Sequence, residues 1–239
     1  MEFKIELHAH TSETSNCGKL PGSQMAQGYA IAGYRTLVIT DHISADRFAN
    51  GFRRPEERAE LFMAGWRAAK AEGEKWDMHV LLGAEARLVS GDEDFLIFGL
   101  EPEHIAPLML FLDARPDIYA LHARVNDWGA VLVQAHPYRP GQQPAPADAL
   151  DGLEVYNGSQ RHDSHNELAL AYAEAHDLLM TSGSDAHQFM DVGRGGLLTE
   201  EEITTGAQLA AFLRSGKHPR RIETRGGFLA DRKAREQAR

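Results

Sequence analysis

Short apolar runs alternate along the chain with longer segments in which apolar residues recur at helical spacing. The apolar runs predict strands at residues 3–7, 36–40, 79–86, 94–100, 130–136, 152–157 and 178–185. The longer segments predict helices at residues 21–33, 55–72, 120–128, 163–176 and 205–215. Runs that are apolar on both faces are typical of a parallel sheet covered by helices. The alternation therefore predicts an α/β fold, either a parallel barrel or a doubly wound sheet.

Local signals refine these boundaries. Pro21 is a favourable first-turn residue for the first helix, which is expected to end near Gly33. Ser164 and Glu167 have the spacing of a capping box and predict the start of the helix at 163–176. The proline-rich stretch 137–148 is the main irregular loop. We expect residues 1–239 to form a single domain, with a charged tail at 231–239 that frays.

Composition limits the kinds of partner. The chain has 239 residues, 43% hydrophobic composition and a formal charge of −10 from 25 basic and 35 acidic side chains. This balance disfavours an extensive nucleic-acid surface, although a local basic pocket can still hold a phosphate. Cys17 is the single cysteine, so no intramolecular disulfide can form and we expect a cytoplasmic protein. No apolar run approaches the ~20 residues of a membrane span, and charged residues interrupt any signal-peptide pattern at the N-terminus.

Charged and imidazole side chains recur where the predicted strands begin or end. They are His8, His10, Asp41, His42, Glu85, Asp94, His136, Asp185 and His187. Barrel enzymes assemble their active sites at the carboxyl edge of the sheet from several strands. Each motif alone is also compatible with a helix cap, a surface pair or a buried ion pair. Together they would be costly to bury without a cation, so the set predicts a metal site.

The pair His8 and His10 supports the same interpretation. Side chains two apart on a strand point to the same face, so both imidazoles can reach one ion. Neutral imidazole binds zinc, manganese or iron, and carboxylates add hard oxygen ligands. A carboxylate can also bridge two ions, and Glu85 is the candidate for that role. Two neighbouring ions can hold a bridging hydroxide and clamp both sides of a phosphoryl displacement.

Six motifs in order resemble the polymerase and histidinol phosphatase (PHP) family. They are HAHT at 8–11, ITDH at 39–42, GAEA at 83–86, QAHPYR at 134–139, GLEVYN at 152–157 and GSDAH at 183–187. The resemblance covers about residues 3–217. It implies a distorted (β/α)7 TIM-like barrel, two or three divalent ions (manganese, iron or zinc) and metal-dependent phosphoesterase activity.

The resemblance also implies how the ligands are divided. One ion would be held by His8, His10, Glu85 and Asp185, and a second would share Glu85 with His136 and Asp94. A third would be held by His42 and His187.

Two positions depart from the family pattern. Asp94 stands where the family often has histidine, which favours manganese or iron over zinc. The first loop has Ser15 and Asn16 where the family usually supplies an Asp or His to the third ion, so Glu13 is taken as the substitute ligand.

The remaining candidates lie around these motifs. Lys19, Arg139 and Arg161 are candidate phosphate-binding residues, although each is also compatible with a surface charge. Asp41 is expected to orient His42 or its neighbours rather than bind metal. Cys17 is interpreted as a small packed residue rather than a nucleophile. Of the other histidines, His162 could approach the site. Four more are expected to be structural or exposed: His79, His104, His176 and His218.

The predicted function is hydrolysis of a phosphate ester in a small metabolite or nucleotide, by attack of a metal-bridging hydroxide. Glu85, Asp185 and His187 are the predicted catalytic residues, with His187 or His42 protonating the leaving alkoxide. An exonuclease on short oligonucleotides and an amidohydrolase-like enzyme are alternatives. The amidohydrolase-like alternative is less favoured because such enzymes commonly use a lysine as the bridging group, whereas this sequence offers Glu85. A non-catalytic metal-stabilised module is a further alternative, which the near-complete ligand set disfavours.

Overall fold

The strands form one sheet that bends into a nearly closed barrel. The structure is a computed structural model that describes residues 2–49, 54–216 and 219–224. Its strands are β1 (Phe3–Glu6), β2 (Thr36–Ile39), β3 (His42–Ser44), β4 (His79–Arg87), β5 (Asp94–Phe98), β6 (Val131–Gln134), β7 (Gly152–Asn157), β8 (Leu179–Gly183), β9 (Leu197–Thr199) and β10 (Arg220–Arg221). Hydrogen bonds connect them in the order β10-β9-β1-β2-β4-β5-β6-β7-β8, and β3 pairs with β4.

The helices cover the outside of this sheet. They are α1 (Gly22–Ile31), α2 (Pro55–Phe62), α3 (Ala64–Gly73), α4 (Pro102–Asp113), α5 (Ile118–Asp127), α6 (Asn166–Ala175) and α7 (Gly206–Arg214). A large apolar cluster between helices and sheet includes Tyr29, Phe62 and Leu108, all nearly inaccessible to solvent. A second cluster, which includes Leu7, Phe98 and Val133, also contains residues from α7. The predicted α/β class and the distorted TIM-like barrel are thus confirmed.

The barrel closes through a backbone contact beyond the regular strands. Ala9, just after β1, forms a parallel bridge with Ala186, just after β8. The N–H of Ala186 donates to the carbonyl of His8 at 3.0 Å, and the N–H of His10 donates to the carbonyl of Ala186 at 2.9 Å. The first and last barrel strands are therefore joined at their carboxyl ends, where the polar motifs lie.

The expectation of an all-parallel sheet is wrong at β5, which runs antiparallel to both β4 and β6. The connection between Arg87 and Asp94 is too short for the crossover that parallel strands need, which takes about a dozen residues or more. As a result, Asp94 lies at the start of its strand but at the same edge of the sheet as the carboxyl ends of its neighbours. The antiparallel strands β9 and β10, which were not predicted, extend the sheet beside β1.

The predicted helix at 55–72 is divided into α2 and α3. The hydroxyl of Thr14 donates to the carbonyl of Phe62 at 3.0 Å and accepts from the N–H of Gly65 at 3.3 Å. A side chain from the first loop thus enters the helical hydrogen-bond ladder, a recognised cause of a helix break.

Two helical details also differ from prediction. Helix α4 was missed, and Pro107 inside it gives the segment a mixed sequence signal, because proline removes a helical hydrogen bond. The predicted capping box of α6 is wrong. The Ser164 hydroxyl donates instead to Oδ1 of Asn157 at 3.3 Å, and His165 precedes the helix in a left-handed conformation. The tail at 231–239 and His218 lie outside the described residues.

None of the helices in the described ranges is long and apolar enough to cross a membrane.

Candidate metal centre

The candidate ligands converge at the carboxyl edge of the barrel strands. The bridge between Ala9 and Ala186 sets the loop after β8 beside the end of β1. Because side chains alternate, the residues on either side of each alanine turn towards the barrel interior together. The histidines His8 and His10 therefore lie next to Asp185 and His187, although nearly the whole chain separates the two motifs in sequence.

The first group consists of His8, His10 and Asp185, all buried. The Nε2 atoms of His8 and His10 are 3.1 Å apart. Oδ1 of Asp185 is 3.6 Å from Nε2 of His8 and 3.5 Å from Nε2 of His10. Two imidazole nitrogens and a carboxylate oxygen thus point at one small volume, as donors around an ion do.

Glu85 lies at the centre of the cluster. Its Oε1 is 3.5 Å from Nε2 of His8 and 3.1 Å from Nε2 of His136. Its Oε2 is 3.3 Å from Nε2 of His10 and 2.9 Å from Nδ1 of His42. The two carboxylate oxygens therefore face different pairs of histidines, which is the arrangement required of a bridging ligand.

Asp94 approaches the same region but already has strong partners. It forms a possible ligand group with His42 and Glu85. Its two oxygens also accept from Nε and Nη2 of Arg87 at 2.7 and 2.6 Å, and Oδ2 accepts from Nε2 of Gln142 at 3.2 Å. A fork-shaped contact of this kind holds the carboxylate in a fixed orientation and neutralises its charge.

The first loop presents Cys17, and not Glu13, to the cluster. Nε2 of His187 lies 3.1 Å from the sulfur of Cys17. Ligand atoms of His10, Cys17, His42 and His187 all lie within 4.8 Å of one another. Glu13 instead accepts from the N–H of Gly22 at 3.1 and 3.0 Å, at the start of α1. The expectation that Glu13 is a ligand is thus corrected, because its carboxylate caps a helix.

Buried polar side chains fix the orientation of two candidate ligands. Oε1 of Glu154 is 2.9 Å from Nδ1 of His8, and its Oε2 accepts from the N–H of His136 at 3.0 Å and from Asn157 at 2.8 Å. Oε1 of Gln142 is 2.9 Å from Nδ1 of His136. Both Nδ1 atoms are therefore engaged, which leaves the two Nε2 atoms directed towards Glu85.

Asp41 organises the first loop. Its Oδ1 accepts from the N–H of Thr11 at 2.7 Å and from the hydroxyl of Ser15 at 2.6 Å, and its Oδ2 accepts from the hydroxyl of Thr11 at 2.6 Å. Ser15 accepts in turn from the N–H of His42 at 3.0 Å. Asp41 therefore acts on His42 through Ser15, without contributing to a group of candidate ligands in the described part of the chain.

The charges within the cluster favour ionised carboxylates. Burial alone would raise the pKa of Glu85, but the imidazoles of His42 and His8 outweigh it and hold that pKa well below its ordinary value. Asp185 shows the same balance, and its pKa is lowered chiefly by His8. Burial and the neighbouring His42 lower the pKa of His10 well below its usual range. Against the effect of burial, nearby carboxylates raise the pKa of His8 well above its ordinary value and that of His42 to about 10. These imidazoles therefore hold protons that a bound ion would displace, because metal binds ionised carboxylates and neutral imidazoles.

Cys17 also has an altered acidity. Burial would raise the pKa of the thiol, but hydrogen bonds with His187 and His42 outweigh this effect and lower the pKa to about 6.

The donor set fits divalent ions. Oε2 of Glu85 is buried and has no correctly oriented hydrogen-bond donor among the described residues, although Nδ1 of His42 is close. An unpaired buried carboxylate oxygen is costly unless a cation or a donor satisfies it. Imidazole nitrogens and carboxylate oxygens that converge on this atom are ligands of zinc, manganese and iron. The residues present therefore match the predicted cofactors, whereas the identity and number of ions remain proposals.

Backbone strain accompanies two of the candidate ligands. His136 has φ of 29° and Asp185 has φ of 50°, a region that side chains other than glycine seldom adopt. Such conformations persist only where the surrounding contacts hold them, and they often mark functional sites.

A cavity of about 450 Å³ opens onto the cluster. The three predicted phosphate-binding residues, Lys19, Arg139 and Arg161, line it together with Arg87 and His162. Arg161 is partly committed, because it contacts Asp191 at 2.7 Å and Asp185 at 3.5 Å. Nη2 of Arg139 lies 3.9 Å from Asp94. Nε2 of His162 is buried without a hydrogen-bond partner in the described residues. The cavity thus combines cationic walls with a cluster of metal-binding donors.

Comparisons with known proteins agree with this fold and site. A family model described as PHP-associated matches residues 163–218. An uncharacterized protein of Methanocaldococcus jannaschii is 32% identical over 93 residues, which span 34% of this chain and 39% of that protein. The structure of PsfC from Pseudomonas syringae covers 99% of this chain and 97% of its own, with a TM-score of 0.64 and 19% identity.

A two-domain protein of Bacteroides vulgatus, described as containing a predicted PHP-like metal-dependent phosphoesterase, has a TM-score of 0.61 and 17% identity. It covers 90% of this chain and 63% of its own. The PHP-associated match bears out the predicted resemblance to the PHP family over residues 163–218, and the structural likeness shows the shared fold.

The same fold occurs in proteins named for other activities. An amidohydrolase of Chromobacterium violaceum has a TM-score of 0.55 and 16% identity, covering 89% of this chain and 96% of its own. A lesion-specific endonuclease of Pyrococcus furiosus has a TM-score of 0.59 and 14% identity, and it covers 92% of this chain and 57% of its own. Likeness at this level establishes the fold, so the reaction must be argued from the site.

Several residues at the site were not assigned roles from the sequence. Glu154 lies within a quoted motif but was given no function. Gln142 lies in the proline-rich loop, where a glutamine has no distinctive signal. Arg87, which pairs with Asp94, was given no role. Cys17 could have been found by its distance of seven residues from His10, close to where the family usually places a ligand.

Proposed function

We propose that this protein is a metal-dependent hydrolase, and specifically a phosphoesterase that acts on a small phosphate ester. The observation that carries the proposal is the position of Glu85. Its two oxygens face separate pairs of histidines, and the cluster opens onto a cavity lined by cationic side chains. A centre that can hold adjacent cations beside cationic side chains matches the needs of a phosphoryl group.

The proposed ligands keep the division that the family resemblance implies, and the structure brings their donor atoms into overlapping groups. His8, His10, Glu85 and Asp185 would hold one ion, and Glu85 would be shared with His136 and Asp94 at a second. His42 and His187 would hold a third. Divalent ions bound there would supply Lewis-acid chemistry and lower the pKa of water, which generates a nucleophile near neutral pH.

The chain's own residues would orient the substrate. Lys19, Arg139 and Arg161 line the cavity and are proposed to bind the phosphate oxygens and offset charge in the transition state. His187 is proposed to act as a ligand rather than as the acid for the leaving group. Its Nε2 faces Cys17, and its Nδ1 lies 2.6 Å from Nη2 of Arg161 and 2.9 Å from the carbonyl of Asp185. Nδ1 is therefore held by its contact with Arg161, which leaves Nε2 as the nitrogen directed at Cys17 and the neighbouring ligand atoms.

Two features support a small substrate over a long nucleic acid. The cavity is of a size typical for small ligands. The net charge of −10 disfavours long contact with a polyanion. An exonuclease that binds only the end of an oligonucleotide is the second candidate, because such a site needs few cationic residues. Cytoplasmic location is part of the same proposal.

Replacement of Glu85 tests this function. Purified Glu85→Gln and Asp185→Asn proteins should lose bound metal and the hydrolysis of p-nitrophenyl phosphate, each by on the order of 100-fold or more, because direct ligands matter more than the residues that orient them. The matched control is Glu103→Gln, which changes an exposed carboxylate in the first turn of α4. Full activity in Glu85→Gln would end the proposal.

A substrate panel separates the alternatives. Histidinol phosphate, nucleoside monophosphates, 3′,5′-bisphosphates, phosphotyrosine peptides and short oligonucleotides should be compared with amides and lactones, using protein loaded separately with manganese, iron and zinc. Preference for a small phosphate ester supports the proposal. Preference for oligonucleotides selects the exonuclease, and hydrolysis of amides or lactones alone selects the amidohydrolase-like enzyme.

A further inference from the structure

Cys17 occupies an unusual position for a small packed residue. Its side chain is only partly buried and lines the cavity at the cluster. The sulfur is 3.1 Å from Nε2 of His187, and ligand atoms of His42 and His10 lie within 4.8 Å of it and of each other. A sulfur held against several imidazole nitrogens at the mouth of a cavity has the surroundings of a metal ligand rather than of a core residue.

The local fold explains how the sulfur reaches this position. The N–H of Gly18 donates to the carbonyl of Ser15 at 3.0 Å, and the N–H of Lys19 donates to the carbonyl of His187 at 2.7 Å. A Cβ on Gly18 would lie 2.5 Å from the carbonyl oxygen of Thr11, so only glycine allows this tight approach. The loop is thus pinned on both sides of Cys17, once to itself and once to the segment that carries His187.

Charge and chemistry distinguish this part of the cluster from the rest. The groups around Glu85 combine imidazole with carboxylate oxygens, whereas the group around Cys17 has imidazoles and a sulfur without a carboxylate. Thiolate and imidazole together favour zinc, which takes tetrahedral sites with nitrogen and sulfur ligands. A thiolate also supplies the negative charge that Glu13 cannot supply while it caps α1.

We propose that the thiolate of Cys17 is a metal ligand that completes a site with His42 and His187, and that this site selects zinc over magnesium or manganese. The proposal rests on the proposed function in that it gives the third ion of that centre a further ligand and a metal preference. Three protein ligands would leave one position of a tetrahedral zinc for water or substrate, as in catalytic zinc sites, and all three residues line the cavity. The centre then combines a site rich in hard oxygen ligands around Glu85 with a site of softer nitrogen and sulfur ligands at Cys17.

The single cysteine permits a direct test, because every thiol signal reports on Cys17. The full chain is stripped of metal, and the rate of its reaction with Ellman's reagent is measured during titration with zinc or magnesium. Zinc should slow the reaction by on the order of 100-fold, and magnesium should leave it unchanged. A rate unaffected by saturating zinc would overturn the proposal, and this measurement needs no variant.

Cobalt(II) provides a second, spectroscopic readout. The cobalt-loaded protein should show the near-ultraviolet charge-transfer band of a thiolate bound to cobalt. Cys17→Ser should lose this band and bind one ion fewer per chain, while its metal-free form unfolds at the same temperature as the parent. A Cys17→Ser protein that keeps the same number of ions at the same affinity would contradict the proposal.

His136→Gln distinguishes this proposal from the proposed function. His136 contacts Glu85 and is absent from the ligand group around Cys17. The variant should lose phosphate-ester hydrolysis while zinc still protects Cys17. If zinc protects Cys17 in the parent protein but the parent hydrolyses no phosphate ester, the proposed phosphoesterase function alone is refuted. If the parent hydrolyses phosphate esters but zinc does not protect Cys17, the proposal that the Cys17 thiolate binds zinc is refuted alone.

Discussion

Glu154 contacts Nδ1 of His8 at 2.9 Å, although 146 positions separate the two residues in sequence. Both side chains are buried, and the second oxygen of Glu154 holds the backbone N–H of His136. One carboxylate thus fixes a histidine after β1 and the position of another after β6. Carboxylates in this position orient metal-binding histidines and increase their basicity.

Glu154→Gln should weaken metal binding without direct removal of a ligand. We expect a 10- to 100-fold lower affinity, roughly the usual effect of losing an orienting partner. Isothermal titration with zinc or manganese measures it, with the exposed Glu103→Gln as the control. Unchanged affinity would show that His8 needs no carboxylate to hold its orientation.

Gly183→Ala should disturb the same contact. A Cβ at this position would lie 2.5 Å from Oε1 of Glu154 and 2.5 Å from Cβ of His8. We expect a loss of about 1–3 kcal/mol in the free energy of unfolding, as for other overpacked buried sites, together with weaker metal binding. Urea denaturation and metal titration measure the two effects.

Gly28→Ala is the matched glycine control. Its Cβ would meet Val192 at 3.4 Å, an ordinary contact, within helix α1. Stability should be unchanged or increase by up to about 1 kcal/mol, because alanine is the better helix former. Equal destabilisation by both substitutions would refute the steric argument for Gly183.

Arg58 and Asp113 connect α2 to the end of α4 and give a pH-dependent contribution to stability. Nη1 and Nη2 of Arg58 donate to the two oxygens of Asp113 at 2.5 and 3.0 Å, and Arg58 is buried. The bond with Arg58 lowers the pKa of Asp113 below its ordinary value. Because this pKa is lower in the folded state, the ionised Asp113 stabilises the folded protein at pH values above its unfolded-state pKa of about 3.9. This contribution is lost as the pH falls through the folded-state pKa.

Asp113→Asn should therefore destabilise the protein at pH 7 by about 1–2 kcal/mol. The difference from the parent should shrink as the pH falls below about 4. Urea denaturation across this pH range measures it. A difference that persists unchanged at low pH would mean that the ionised carboxylate is not responsible.

Removal of metal should lower thermal stability. Without cations, Oε2 of Glu85 is buried with no hydrogen-bond donor among the described residues, beside the buried carboxylate of Asp185. Ions that bind only the folded state stabilise it, by about 2.7 kcal/mol at a concentration 100 times Kd. Differential scanning fluorimetry should show a higher Tm on addition of manganese, which favours the oxygen-rich centre around Glu85, to the stripped parent and little change in Glu85→Gln. An equal increase in both proteins would indicate binding elsewhere.

The sequence was sufficient to predict the class of fold and most of the residues that converge. Buried strands read as continuous apolar runs, and polar residues at their ends stand out against them. The direction of β5 was not predictable in this way, because an apolar run looks the same in parallel and antiparallel pairing. The division of α2 from α3 depends on Thr14, a residue from a distant loop that inserts only in the folded chain.

The roles of Glu13 and Cys17 illustrate the same limit at the site. Both lie in the first loop, and a carboxylate is the more usual metal ligand by type. The choice between them depends on loop geometry. Glu13 points to the start of α1, whereas the bonds of Gly18 and Lys19 hold Cys17 against His187. Glu154 was similarly recognisable only once the strands had been assembled.

The rate of phosphate-ester hydrolysis as a function of metal bound per chain tests the central claim most directly. Stripped protein is reconstituted stepwise, and metal content and hydrolysis of p-nitrophenyl phosphate are measured on the same samples. We predict no hydrolysis without metal, and a rate that rises as ions occupy the centre and is abolished again by a chelator. Hydrolysis at the full rate by metal-free protein, or a protein that binds no divalent ion, would contradict the account.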